Sequence, residues 1–379
     1  MRIVVTGLIG SIPIAGLTFH YLQYMLGLRK LGHEVLYLED TGTWYYDPYT
    51  DSMSGESAKS VQYLATTMER HGFSEQWTLV AHDGVEHGVA GRRFIDFLDS
   101  ADLLLNVTGA GIIREKYRMI PVRAYVDTDP AFIQFRIASG NSKDLAHLDA
   151  HTALFSFGVN IGDDNCSIPT SGLKWLPTVQ PIDFSLWPDA TVPPPNAPFT
   201  TIMKWKTYDP VVFEGRQYGL KDGEMARFVG LAQRCPVPLE IAFAGEMPAD
   251  LVENGWLIRP AIEVSDTLDA YRDYILSSAG EWSVAKHAYV ATNSGWFSER
   301  SACYMACGRP VIVQETGFSR WLRADFGVLP FRTLDEAATA LEAVTTHPEP
   351  HRKAAREVAF EYFSAEMVLA TLIDDAFHQ

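Results

Sequence analysis

Short apolar runs that end at glycine or at an acidic residue alternate with helical stretches along most of this chain. RIVVTG, from Arg2 to Gly7, is a β-branched run, and from Leu17 onward apolar residues recur at helical spacing until Gly32. A second apolar run, EVLYLE, begins at Glu34. Strand, helix and strand in this order form a βαβ unit, whose two strands are parallel and joined by a right-handed crossover. The pattern therefore predicts an α/β fold with a parallel sheet.

The alternation is interrupted once, which divides the chain into two halves. Residues 184–199 contain five prolines, a composition that suits neither a helix interior nor a central strand, and we interpret them as a linker. The first half, residues 1–183, and the second half, residues 200–350, each repeat strands and helices. Two Rossmann-like domains facing across a cleft are predicted, with ligands in the cleft. Residues 351–379 are predicted to be helical. The strand-like runs are SADLLLNVTG, VRAYVDTDP, HTALFSFGVNIG and GLKWLPTVQPID in the first half, and TTIMKW, PLEIAFAG and PVIVQ in the second.

The net charge and the composition limit the kinds of partner that this protein is expected to bind. The 379 residues carry a formal net charge of −16, which repels phosphate backbones and anionic lipid surfaces, so we expect neither nucleic acid nor membrane as a partner. No leader sequence precedes Ile3 and no run is long enough to span a membrane, which predicts a cytoplasmic protein. The four cysteines are scattered and are expected to be reduced core residues.

The segment SGWFSERSACYMACGRPVIVQETG predicts an anion site. A helix is expected to begin at Ser298 and to end at Gly308, before a buried strand. The start of a helix exposes unpaired backbone N–H groups and the positive end of the helix dipole, which together bind phosphate. Gly295 would let a diphosphate approach the backbone, and Ser294 and Ser298 would add hydroxyl donors. The alternative is a plain loop with an N-cap.

Within this segment, MACGRPVIVQETG resembles the "AMACGxPVI" passage of GT-B glycosyltransferases, in the group that includes glycogen and sucrose synthases. TNSGW, with Ser298, is similar to the "THCGWNS" signature of the glycosyltransferases that act on small molecules. The first βαβ unit, with its loop GLIGSIPIAG, also resembles that of the family. The resemblance implies a nucleotide-sugar donor in the second domain, an acceptor in the first, and a C-terminal helix that crosses back to the first domain.

Two positions depart from the family pattern. Asn293 stands where the family has a histidine, and its amide still donates to phosphate but carries no charge. The acidic residue that binds the donor ribose in the family falls on Cys303 here, so we take Glu299, one helical turn earlier on the same face, as its substitute. Arg300 is a further candidate to meet the ribose hydroxyls or the sugar. The alternative for Glu299 and Arg300 is an exposed capping pair.

Four further residues are expected at the donor. Glu281 corresponds to a second family glutamate, placed in the loop after the preceding strand. Lys286 and Lys204 would neutralise the leaving diphosphate. Trp296 would line the pocket wall or contact the donor. A solvated helix start is the alternative for Glu281 and Lys286.

Catalysis requires a group on the first domain that faces the sugar. Asp127 and Asp129 follow a strand end that faces the cleft, and either is a candidate base or an N-cap. His20 is early in the first helix, where a base or a core histidine would fit. Gly7 and Gly10 would let a ligand approach the backbone, although their loop lacks a full G-x-G-x-x-G.

These observations predict a metal-independent hexosyltransferase that moves a sugar from a UDP- or dTDP-sugar to an acceptor hydroxyl. No cofactor other than the donor, and no metal ligand set, is expected. The alternatives are a sugar-nucleotide epimerase of the same fold, a nucleotide-binding homologue without catalysis, and a two-domain dehydrogenase. The sugar, the acceptor, the stereochemical outcome and the oligomeric state are left open by the sequence.

Overall fold

The first half of the chain folds around a mainly parallel sheet. The computed structural model describes residues 1–189, 192–205, 208–245 and 249–379. In these residues eight strands form one sheet in the order β10-β9-β8-β7-β1-β2-β5-β6, in which only β6 is antiparallel to its neighbour. The strands of this half are β1 (Arg2–Thr6), β2 (Glu34–Glu39), β3 (Tyr45–Asp47), β4 (Ser52–Ser54), β5 (Trp77–Val80), β6 (Glu86–Gly88), β7 (Leu103–Val107), β8 (Val122–Asp127), β9 (Ala153–Ser156) and β10 (Trp175–Pro177).

Helices cover both faces of this sheet. The first of them, α1, is buried on nearly every side for most of its length, because it lies between the sheet and helices from the far end of the chain. This explains why its sequence is apolar rather than amphipathic. The helices of this half are α1 (Ala15–Lys30), α2 (Ala58–Arg70), α3 (Gly91–Asp99), α4 (Glu115–Arg118), α5 (Phe132–Ala138) and α6 (Ser142–Asp149).

The second half contains a second, all-parallel sheet. Its order in the described residues is β15-β14-β11-β16-β17-β18, so β11 lies between β14 and β16 as β1 lies between β2 and β7. The predicted α/β fold with two Rossmann-like domains is confirmed. The elements are β11 (Phe199–Lys204), β12 (Val211–Phe213), β13 (Arg216–Tyr218), α7 (Lys221–Met225), β14 (Leu239–Ala244), α8 (Ala249–Glu253), β15 (Leu257–Pro260), α9 (Ile262–Ser265), α10 (Leu268–Ser277), β16 (Gly280–Ser283), α11 (His287–Thr292), α12 (Glu299–Ala306), β17 (Val311–Gln314), β18 (Val328–Phe331) and α13 (Leu334–Thr346), with 3-10 turns at Val229–Arg234 and Phe318–Arg320.

Two C-terminal helices divide between the halves. Helix α14 (Pro348–Phe363) packs on α12 of the second half, whereas α15 (Ala365–Phe377) crosses back and packs on α1. At the crossing point Ile182 donates its N–H to Phe363 O at 2.6 Å and accepts from Ala365 N at 3.0 Å. The expected crossing helix is therefore α15 alone. Ala190 and Thr191, which belong to the predicted linker, lie outside the described residues.

Two short hairpins, which the sequence patterns did not predict, reach between the halves. The β3–β4 hairpin projects from the first half, and the β12–β13 hairpin of the second half packs on α5 of the first. In the latter contact the ring of Phe135 lies 5.0 Å from Phe213 and 4.2 Å from Tyr218. The two halves are thus in direct contact along their facing edges. Among the helices of the described residues, none combines the length and the apolar character that crossing a bilayer demands.

Candidate active site between the two halves

The turn after β1 is filled by a carboxylate of the first half itself. Glu39, fully buried at the end of β2, accepts from Gly10 N at 2.8 Å, from Ser11 N, and from the Tyr37 hydroxyl at 3.0 Å. Burial raises the pKa of this carboxyl, and the hydrogen bonds lower it in part. The N–H groups that would hold a phosphate in a dinucleotide-binding fold are therefore already used.

The two glycines of this turn are explained by packing. A Cβ atom on Gly7 would lie 2.6 Å from the Tyr37 hydroxyl, and one on Gly10 would lie 3.0 Å from Leu79. Both residues are buried. Access for a ligand at these positions was a prediction, and the structure gives the glycines a different reason to be there.

Ser298 is the N-cap residue of helix α12 and Gly308 follows the end of the helix, close to the predicted bounds. The Ser298 hydroxyl caps no backbone N–H of the helix. The backbone carbonyl of Ser298 accepts from Ala302 N at 3.1 Å and from Nε2 of Gln180, in the first half, at 3.2 Å. The positive end of α12 therefore lies at the boundary between the halves without its own side-chain cap.

The turn before α12 is packed against the first half rather than open. Asn160, in the loop after β9, donates to Asn293 O at 3.0 Å and to Gly317 O at 3.1 Å. A Cβ atom on Gly295 would lie 2.7 Å from the Asn160 side chain, and Ser294 is fully buried. In this arrangement Ser294 and Gly295 do not face open space, and the Asn293 carbonyl is occupied by Asn160. Asn160 lies in no recognisable sequence motif, so its contact with this turn could not be predicted from the sequence.

Trp296 joins the two halves. Its ring lies 4.5 Å from that of Tyr289, and its Nε1 donates to Thr128 O of the first half at 3.2 Å. This favours the wall role over direct donor contact.

Glu281 and Arg300 form a buried ion pair inside the second half. Glu281 lies within β16 and is fully buried, not in the following loop as expected. Arg300 donates to Glu281 and, at 2.9 Å, to Ile202 O. Burial opposes the charge of Arg300, but Glu281 raises its pKa above the ordinary value. The pair fixes the start of α12 against the sheet.

Lys286 meets Asp129 across the boundary. Its Nζ lies 2.8 Å and 2.7 Å from the two carboxylate oxygens, and the hydroxyls of Tyr208 and Tyr289 also donate to Asp129. Asp129 follows β8, whereas the three donors belong to the second half. The structure thus brings together two residues that the sequence placed in separate roles, donor and base.

Lys221, which the sequence analysis missed, lies beside this cluster at the first position of α7. Burial lowers its pKa well below the ordinary value, and the charges of Arg300 and Lys286 lower it further. Within the described parts of the chain no carboxylate is within ion-pair distance of its amine. The basic side chains of Lys221, Lys286 and Arg300 therefore lie together, and we call this group the cation cluster. The sequence places Lys221 just before a charged stretch of helical pattern, which does not indicate a site.

Lys204 is paired elsewhere. Its Nζ lies 2.9 Å from Asp51 in the β3–β4 hairpin and 5.6 Å from the ring centre of Tyr46. Both members of this ion pair are partly exposed. In this arrangement Lys204 holds the rim of the boundary together.

His20 and Glu299 form a second link between the halves. His20 Nδ1 lies 2.8 Å from Glu299, and Gln23 donates to the other Glu299 oxygen at 3.2 Å. His20 Nε2 is buried and has no hydrogen-bond partner in the described residues. Glu299, which the resemblance assigned to the ribose, is thus held by α1 of the first half.

Asp127 is enclosed by its own half. It accepts from Gln134 at 2.7 Å, from Ser156 at 2.9 Å and from Asp129 N at 3.1 Å. Burial raises its pKa to about 6. The side chain shapes the turn that carries Asp129, and neither oxygen is left without a donor.

Comparisons with solved structures identify the architecture. An alpha-glucosyltransferase in complex with UDP and a 13-mer DNA matches with a TM-score of 0.58 and 12% identity, over 100% of both chains. AviGT4, a glycosyltransferase involved in avilamycin A biosynthesis, matches with 0.52 and 13%, over 99% of this chain and 97% of that one. Anabaena HepE in complex with UDP and glucose matches with 0.54 and 11%, over 99% of both chains.

These likenesses confirm the predicted GT-B fold, and at such low identity they concern the fold alone. A scan against protein-family models and a search of curated proteins found no match.

Proposed function

We propose that this GT-B protein transfers a sugar, of the hexose type, from a nucleoside diphosphate sugar to a hydroxyl group of an acceptor. The second half would hold the donor and the first half the acceptor. The observation that carries the proposal is the cation cluster, which lies at the boundary of the halves near the uncapped start of α12. Cations beside a helix N-terminus form a site for a diphosphate.

On the donor side, Lys221 and Lys286 would neutralise the negative charge that develops on the leaving diphosphate. Arg300 is held by Glu281 and would act mainly through its charge and by fixing α12. Because side chains supply this charge, the proposed reaction is independent of a metal ion. UDP or dTDP is the nucleotide we propose, and the donor is a co-substrate, so no further cofactor is required. Two of the similar structures contain UDP, which supports this choice.

On the acceptor side, we assign the base to His20. A carboxylate on one imidazole nitrogen, with the other nitrogen unpartnered, is the arrangement in which histidine accepts a proton from a hydroxyl. The buried Nε2 of His20 fits this role because a buried polar atom without a partner calls for a ligand. The carboxylate comes from Glu299 of the other half, so the base would be oriented only when the halves are in contact. Such contact also excludes water, which would otherwise hydrolyse the donor.

The donor site is tested by titrating UDP and dTDP into the wild-type protein and into Lys221→Ala and Lys286→Ala, with binding followed by calorimetry. Each variant is expected to lose affinity by about tenfold or more, because a charged contact to phosphate is removed. The control is Lys353→Ala, whose exposed side chain on α14 lies 3.9 Å from Glu357. Absence of nucleotide binding by the wild type, or equal affinity in all four proteins, would contradict the proposal.

The base is tested by turnover of the donor in the presence of an acceptor panel. His20→Gln is expected to bind UDP like the wild type and to lose at least about a hundredfold in turnover, which is the usual contribution of a general base. Turnover close to that of the wild type would refute the assignment. Conversion of the donor to an epimer without any acceptor would point to the epimerase instead.

A further inference from the structure

The carboxylate of Asp129 occupies an anion site that is built entirely by the other half. Lys286 contacts both of its oxygens, and the hydroxyls of Tyr208 and Tyr289 donate to it as well. Lys286 also lies over both tyrosine rings, at 4.6 Å and 5.5 Å from their centres, which keeps its ammonium in place. These donors converge on one point, and all three belong to the second half.

Charge around this point is not balanced by Asp129. The three basic side chains of the cation cluster face two carboxylates, those of Asp129 and Glu281, and Glu281 is paired with Arg300. Lys221 is left without a carboxylate within ion-pair distance in the described residues. A phosphate group has more negative charge and more acceptor oxygens than a carboxylate, so it would satisfy the same donors and Lys221 besides.

We propose that Asp129 is an internal competitor of the donor: its carboxylate occupies the position of a donor phosphate, and the donor binds only by displacing it. This inference rests on the proposed function. Asp129 is then a determinant of donor affinity, not the base. It belongs to the first half, so displacement breaks one of the links that hold the halves together, and donor binding has to work against that link.

An ordinary ion pair between the halves offers the matched control. Lys204 and Asp51 also join the two halves, at 2.9 Å, but at the partly exposed rim. Asp51→Asn therefore loosens the contact between the halves without emptying the site at Lys286. Asp129→Asn removes the charge that competes with phosphate and keeps the size of the side chain.

The experiment measures binding of UDP, inorganic pyrophosphate and uridine to wild type, Asp129→Asn and Asp51→Asn by calorimetry. For Asp129→Asn, affinity is expected to rise by about tenfold or more for UDP and pyrophosphate, since a competing charge is lost, and to stay unchanged for uridine, which has no phosphate. Asp51→Asn is expected to stay within about twofold of wild type for all three probes. Asp129→Ser serves as a second variant if the amide disturbs folding.

Three outcomes would overturn the inference. Unchanged or weaker UDP binding by both Asp129 variants, with normal binding by wild type, refutes the competition and leaves the proposed function intact. Equal tightening in Asp51→Asn assigns the effect to looser contact between the halves. Absence of UDP binding in the wild type and in the Asp129 variants refutes the competition and the proposed function together.

Discussion

The connection after β1 and the connection after β11 hold the same place in two sheets of related strand order, yet their charges differ: the first is filled by an anion from the neighbouring strand β2, whereas the second leads into a helix that begins with a lysine. After β1 the chain turns directly into α1, and the buried carboxylate of Glu39 takes up the free N–H groups of the turn. After β11 the chain first forms the β12–β13 hairpin and then begins α7 with Lys221, a lysine without a carboxylate partner in the described residues.

The difference teaches what separates a structural turn from a binding turn in this fold. Where the chain supplies its own anion, the site is complete and the glycines serve packing. Where the chain supplies a cation without an anion, the site is complete only with a ligand. Asp129 is intermediate between these two cases, because it is an anion of the first half that is bound by donors of the second half.

The largest effect is expected from removing Glu39, the anion that fills the turn after β1. Glu39→Ala leaves the N–H groups of Gly10 and Ser11 buried without an acceptor, and we expect the free energy of unfolding to fall by about 3 kcal/mol or more. Urea denaturation measures this, with the exposed Glu56→Ala as control. A loss no greater than that of the control would mean that Glu39 does not hold the turn.

The complementary experiment concerns the protonation of Lys221. Its pKa is lowered in the free protein, and a bound diphosphate would raise it, so binding takes up a proton at any pH between the two values. UDP affinity is therefore expected to fall as pH rises through this range, by up to about tenfold per pH unit. Calorimetry in buffers of different ionisation enthalpy measures the proton uptake on binding. The substitution Lys221→Met should abolish this uptake. Uptake that persists in this variant would assign the proton to another group.

The smallest effect on stability is expected at the helix caps, where Thr333 caps its helix and Ser298 is free to bind a ligand. Thr333 caps α13 in a complete capping box, and its replacement by Ala is expected to cost about 1 kcal/mol of unfolding free energy. Ser298 caps nothing, so Ser298→Ala should cost less than about 0.5 kcal/mol and should weaken UDP binding instead. Denaturation and titration of both variants test this. Comparable destabilisation by the two substitutions would contradict it.

The sequence predicted the fold well because the fold depends on local patterns. Apolar runs that stop at glycine gave the central strands, and the helix from Ser298 to Gly308 was bounded by its own cap residues. The β3–β4 and β12–β13 hairpins escaped prediction because each strand is only three residues long, which is too short to show a recognisable alternation.

The site was predicted less completely, because its pairs join residues that are far apart in the chain. His20 and Glu299 were each selected as candidates, but their hydrogen bond spans 279 positions and no local pattern encodes it. Asn160 and Lys221 were missed for the same reason. Glu281 was expected in a loop and lies inside β16, because the resemblance was extended over a segment of different length.

The return of α15 to α1 governs the order in which the protein can be completed during synthesis. Gly27 of α1 is covered by Ala365 and Leu369, with space for no more than a hydrogen atom between them. A ribosome therefore releases the first sheet and its helices long before the segment that covers them exists. Until that segment emerges, α1 presents an uncovered apolar surface while the entire second sheet is translated. During this time the surface can associate with other nascent chains.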